Sequence, residues 1–163
     1  MKPTSSSTAQ ALRVLLATGL ATNGAAMLAQ PAAWYHAVPG VIYTGPLNLH
    51  FVRDIGAAYL AAAAGLAWRA LRGPSAGPAA QCGALFLGLH AAIHVGETLA
   101  GLCGWRQLLA DAPGVVLPAL LAAALAGPWR TPGAPSGSGA ARQPDERIEP
   151  SRARPFDSPR AAP

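Results

Sequence analysis

Charge is what this chain lacks. Of its 163 residues only 12% are Asp, Glu, Lys or Arg, against about 25% in a soluble domain. Between Ala11 and Trp129 the charges are Arg13, Arg53, Asp54, Arg69, Arg72, Glu97, Arg106 and Asp111. A soluble Ala-rich helical bundle would need a charged face along each helix, and no face at helical spacing is charged. Lysine is reduced to Lys2, and the net charge of +5 rests on scattered arginines. With no basic helix or stripe, nucleic acid is not a partner. There are two cysteines, Cys82 and Cys103. If one helix joins them they stand roughly 31 Å apart, which forbids a disulfide. Cys82 reads as a small buried apolar residue. Nucleophile elbow, phosphate loop, CxxC pair and dinucleotide fingerprint are all missing, so an enzyme of the soluble type has no residues to stand on.

What is present is 52% hydrophobic sequence, rich in Ala and Gly. Its long apolar windows, parted by Pro and Gly clusters, predict membrane spans. Small residues suit close helix packing in lipid. The expected architecture is all-α, an integral membrane four-helix bundle. A polar N-terminus (1–8) precedes a transmembrane domain (9–129) with spans near 9–29, 50–71, 79–102 and 113–129. Pro118 falls in the first turns of the fourth and is expected to kink it. Residues 130–163, rich in Pro, Gly, Ser and Arg, predict a disordered cytoplasmic tail. The first run follows Arg13 as a secretory signal would. It is long, and Met27 occupies the position where a cleavage site needs a small residue, so it reads as a retained span.

Lys2, Arg13, Arg69, Arg72 and the tail arginines fall on one side of such a bundle, and only Arg106 lies in the loops of the other. The bias predicts both termini in the cytoplasm, and a composition high in Ala, Gly, Pro and Arg with Lys nearly absent points to a bacterium with GC-rich DNA, hence an inner membrane. The tryptophans agree. Trp68 and Trp129 fall at inner ends of spans and Trp34 and Trp105 at outer ends, as in an interfacial belt.

The apolar spans carry a polar constellation. His50, Arg53, Asp54 and Ala57 share one helix face, and His90, His94, Glu97 and Gly101 share another. On antiparallel neighbours the two faces meet in the outer half of the bilayer, with Asp54 about 6 Å and Glu97 about 7 Å deep. A charge in lipid costs about 2.5–3.5 kcal/mol even on the lenient scale. The expectation is therefore an outward-facing pocket in which Arg53 pairs with Glu97 and Asp54 with a histidine or tyrosine. The candidate pocket residues are His50, Arg53, Asp54, His90, His94 and Glu97.

Three uses of that pocket remain open. His90 and His94, four apart, can chelate one metal with Glu97 or Asp54 as an oxygen ligand, although Arg53 beside them repels a cation. Haem needs ligands on opposite sides of the iron, which His50 with His94 supplies and His90 with His94 does not. Alternatively, histidine and carboxylate near the outer interface bind a small polar ligand or a quinone head group and pass protons. Or the cluster only fixes helix register or holds a membrane partner subunit or a second copy. Interhelical hydrogen bonds of that kind are worth about 0.6 kcal/mol each. Asn23, with Thr18 and Thr22, reads as a helix–helix hydrogen bond within reach of the pocket. Tyr59 reads as core and His36 as exposed. The loop VPGVIYTGPLN can fold back as a lid.

Four short spans, an aromatic Pro/Gly loop after the first, and TGPLNLHFVRDIGAAYL opening the second resemble a group of small bacterial membrane proteins, the DoxX-like group. Its namesake is a subunit of a thiosulfate–quinone oxidoreductase. The resemblance covers about residues 9–129 and carries no catalytic motif, so it assigns no residue role. It implies a quinone-linked context. The expected function is an accessory membrane protein of a redox or transport system, with the lipid bilayer as partner and no cofactor required. The alternative is a metal- or haem-binding membrane oxidoreductase.

Overall fold

The computed structural model describes residues 4–128. Lys2, Trp129 and the expected tail at 130–163 lie outside the described residues. Within them the chain is helical and contains no strand. Its helices are α1 (Thr4–Ala29), α2 (Pro31–Ala37), α3 (Leu49–Arg72), α4 (Gly77–Leu99), α5 (Trp105–Asp111) and α6 (Val116–Ala126).

Local chemistry sets each boundary. Pro31, which has no N–H to lose, opens α2 in its first turn. The side chain of Asn48 caps α3 by accepting from the backbone N–H groups of His50 and Phe51, both at 3.1 Å. At the other end of α3, Gly73 takes φ +67°, a left-handed value that glycine adopts without steric cost. A single 3-10 turn, Gly73–Ala76, then reverses the chain into α4. α4 stops at Leu99, three residues short of the expected end of its span, because Gly101 at φ +75° turns the backbone away. The expected short loop around Arg106 and Asp111 is instead helix α5. The expected span over 113–129 is an 11-residue helix, α6, bent by 49° from α5 across the break at 112–115. Pro118 lies in the first turn of α6, where its missing N–H disturbs little.

Helices meet where side chains are smallest. A Cβ on Gly24 would come within 2.6 Å of the Gly56 carbonyl, and one on Gly56 within 2.8 Å of Met27 Cβ, so α1 and α3 cross backbone to backbone. In the α3–α4 hairpin a Cβ on Gly83 would reach the Cα of Ala62 at 2.9 Å, and one on Gly65 would strike the Ala79 carbonyl. Small-residue crossings of this kind are how helices approach without a hydrophobic driving force. The inward stripe of α3 is Val52, Gly56, Tyr59, Ala63, Leu66 and Ala70.

At the base of the bundle, where α1 and α4 begin, polar side chains gather on the last carbonyls of α6 and the two that follow it. Arg13 Nε donates to Leu125 O (2.8 Å), Arg69 Nε to Ala126 O (3.2 Å), and Gln81 Nε2 to Gly127 O (3.2 Å) and Pro128 O (2.8 Å). A helix C-terminus leaves carbonyls unpaired and carries partial negative charge, which two guanidinium groups and an amide here offset.

Two helical stretches, Ser7–Ala29 and the 51-residue Leu49–Leu99, are long and apolar enough to cross a membrane. The second contains the reversal at Gly73–Ala76, so its halves run side by side. α5 and α6 pass the same test only when taken together. Only 22% of the most apolar window of the first stretch and 28% of that of the second are buried within the chain. Leu71, Leu85, Leu89 and Ile93 stand outward. Cys82 does too: it is exposed on α4 rather than buried, and both cysteines are free.

Candidate functional site: a cavity polar at one end

A cavity of about 990 Å³ lies between α1, α3, α4 and α6, under the segment joining α2 to α3. Its walls are largely apolar. Polarity is confined to the end away from the base, where Asn23, Tyr59, His90, His94, Glu97 and Asp111 line it.

α4 supplies three of these groups at helical spacing. His94 Nδ1 lies 3.0 Å from Asp111 Oδ2, with the two side chains 19% and 10% exposed. A carboxylate only accepts, so the imidazole donates from Nδ1 and its Nε2 remains for other partners. Asp111 is fixed from a second side by Gln107, one turn earlier on α5, whose amide donates to Oδ1 at 2.8 Å. His90, one turn deeper on α4, sets its ring edge to His94 (centroids 5.0 Å apart) and stacks on Phe86, with Tyr59 at 5.9 Å. Glu97 also lines the cavity, and Cys103 Sγ stands 4.0 Å from its Oε2.

The loop between α2 and α3 forms the roof. Tyr35 Oη donates to Gly45 O at 2.6 Å, pinning the loop to α2. Trp34 Nε1 donates to Asn23 Oδ1 at 2.9 Å, pinning α2 to α1. Gly40 has φ +90°, and any Cβ there would overlap the Gln107 amide. The roof therefore touches the residue that positions Asp111. The lid expected from VPGVIYTGPLN is in place, and His36 is exposed as expected.

The six expected pocket residues divide in two. His90, His94 and Glu97 line the cavity. His50, Arg53 and Asp54 do not: all three are exposed on the outer side of α3. His50 and Asp54 pair with each other at 3.4 Å, and Arg53 Nε donates to Leu28 O on α1 at 3.4 Å. The expected Arg53–Glu97 pair does not form, because the face shared by 50, 53, 54 and 57 is opposite the inward stripe of α3. These charges sit in the first turns of α3. The residue missing from the expected set is Asp111. His50 shares no cavity with His94, so the two cannot flank one haem. Among the described residues no three His, Cys, Asp or Glu side chains are grouped to hold a metal ion, and His90, His94 and Glu97 make no such set.

Over the described residues the fold and the site thus define an all-helical protein with an apolar-walled cavity, polar at one end, where a histidine–carboxylate pair lines it. No family model, curated protein or solved structure matches the chain.

Proposed function

We propose that this is a multi-pass protein of a bacterial inner membrane, a four-span bundle with both termini in the cytoplasm. Its outward-facing cavity receives a small molecule with a hydrogen-bonding head, a quinone head group being the leading example, in an accessory role to a redox system. The bilayer reading is supported by long apolar helices whose surface the chain itself leaves uncovered. The orientation is supported by Arg13, Arg69 and Arg72 at the base, against Arg53 and Arg106 at the other end. The resemblance of residues 44–60 to DoxX-like proteins belongs with the same reading.

The observation that carries the ligand is the confinement of polarity to one end of an otherwise apolar cavity, where His94 is oriented by Asp111. Sites for small molecules have this character: apolar walls and a few convergent polar groups. A ring carbonyl or hydroxyl placed against the imidazole would exchange a hydrogen bond with it, and the neighbouring carboxylates could relay a proton.

The test uses full-length protein in detergent and dimethoxy-methyl-benzoquinone as probe. Saturable binding is expected, weakened about tenfold or more in His94→Leu, which removes one charge-assisted partner. A probe that never saturates, or that binds His94→Leu as tightly as the original chain, rejects the reading.

A further inference from the structure

The cavity is far longer than a head group. Along α1 it is lined from Asn23 down to Leu12, and from Val115, just before α6, down to Leu125 near its end. Each run spans about 15 Å at 1.5 Å per residue. The two helices run antiparallel, since Arg13 near the start of α1 holds the carbonyl of Leu125 near the end of α6. The lower two thirds of this cleft present Leu12, Leu16, Leu20, Leu121 and Leu125 and no charged group.

Gly19 lies midway down the α1 wall. A Cβ placed there would meet nothing within 4 Å. Gly24, Gly56, Gly65 and Gly83 each allow a backbone to approach or a close contact; Gly19 allows none, and unlike Gly88 and Gly96 on α4, which also meet nothing, it lines the cavity. Glycine in the middle of a helix is less favourable than alanine by about 0.5–1 kcal/mol, and no packing partner here repays that loss. What the missing side chain leaves is room between α1 and α6. The cleft is also open along its flank, since Leu15 and Leu117, both on its walls, are 70% and 51% exposed.

We infer that the cavity takes a single-chain amphiphile, whose uncharged hydrogen-bonding head lies at His94 and Asp111 and whose aliphatic chain lies between α1 and α6 across Gly19. The chain enters sideways from the hydrocarbon through the open flank. This rests on the ligand reading above and adds to it the chain, its seat and its route. Acyl and prenyl chains share the required chemistry, a slender apolar rod about 15 Å long.

The experiment compares two probes: dimethoxy-methyl-benzoquinone, and the same ring bearing a decyl chain. The decyl chain should tighten binding to the original protein by about tenfold or more, since each buried methylene contributes. In Gly19→Leu the side chain fills the cleft. The methyl probe should bind unchanged, while most of the gain from decyl disappears. Partition of the chain into detergent is common to both proteins and cancels in the ratio. Gly19→Ala, whose added methyl meets nothing, should fold as well as the original and keep part of the gain, which keeps the test meaningful if Gly19→Leu misfolds. A decyl gain equal in all three proteins overturns the inference and leaves the head-group reading standing. Failure of both probes to bind the original protein overturns both.

Discussion

His94 on α4 and Asp111 at the end of α5 are joined across 3.0 Å, and this contact ties α5 to the polar end of the cavity. The other acid–histidine pair, His50 with Asp54, has its side chains 88% and 61% exposed. The two pairs are alike in chemistry and opposite in setting, so they should respond differently to truncation.

Asp111→Leu strands both His94 and Gln107. A buried hydrogen bond to a charged group is worth about 1.5–3 kcal/mol, and thermal unfolding in detergent should show a loss of that order. Asp54→Ala should leave the melting temperature unchanged, because exposed pairs contribute little. If His94→Leu and Asp111→Leu together cost the sum of the two single changes, the residues are not coupled and the latch does not exist.

Gln81 is 5% exposed and serves two carbonyls beyond the end of α6. Gln81→Leu keeps the volume and removes both donors. At about 0.6 kcal/mol per interhelical hydrogen bond, the expected loss is about 1 kcal/mol. The same melts measure it. An unchanged midpoint would mean that Arg13 and Arg69 hold α6 without help.

The cysteines report on the solvent. Cys82 is exposed on α4 and Cys103 is half-buried beyond it. In water, Cys82 would be the faster to react with a polar maleimide. In a bilayer, Cys82 faces hydrocarbon while Cys103 lies at the outer surface, so the order should invert. Labelling intact cells with an impermeant maleimide should modify Cys103 and spare Cys82; faster reaction at Cys82 would dismiss the membrane reading.

Much of the scaffold was legible from periodicity and punctuation. Apolar runs parted by Pro and Gly clusters locate α1, α3 and α4 within about five residues, although the third run predicts a span that continues through Gly101 to Leu102. The same runs hid the short helices: α5 has seven residues, too few for a hydrophobic period to declare itself. Half of the site was legible for a related reason. Spacing shows that 50, 53, 54 and 57 share a face, and that 90, 94 and 97 share one, but it does not say which way a face points. The direction of α3 is set by Gly56, which has to meet Gly24, and that contact turns Arg53 and Asp54 outward. Asp111 was visible as a charge and unreadable as a partner, because only the reversal after Leu99 carries it back to His94.

The break between α5 and α6 has a consequence for hydration. α6 is about 16 Å long at 1.5 Å per residue, roughly half the thickness of a hydrocarbon layer. Above it the backbone of Pro113, Gly114 and Val115 is irregular and faces the cavity. Its amides are served within the chain, Gly114 and Val115 N–H both donating to Asp111 O at 3.0 and 2.8 Å, so the polar groups that face the space above α6 are the side chains of His94, Glu97 and Asp111, which lipid tails do not satisfy. In a bilayer, then, the upper chamber fills with solvent and the leucine cleft beneath it stays dry, and an arriving head group trades places with ordered water rather than entering a void.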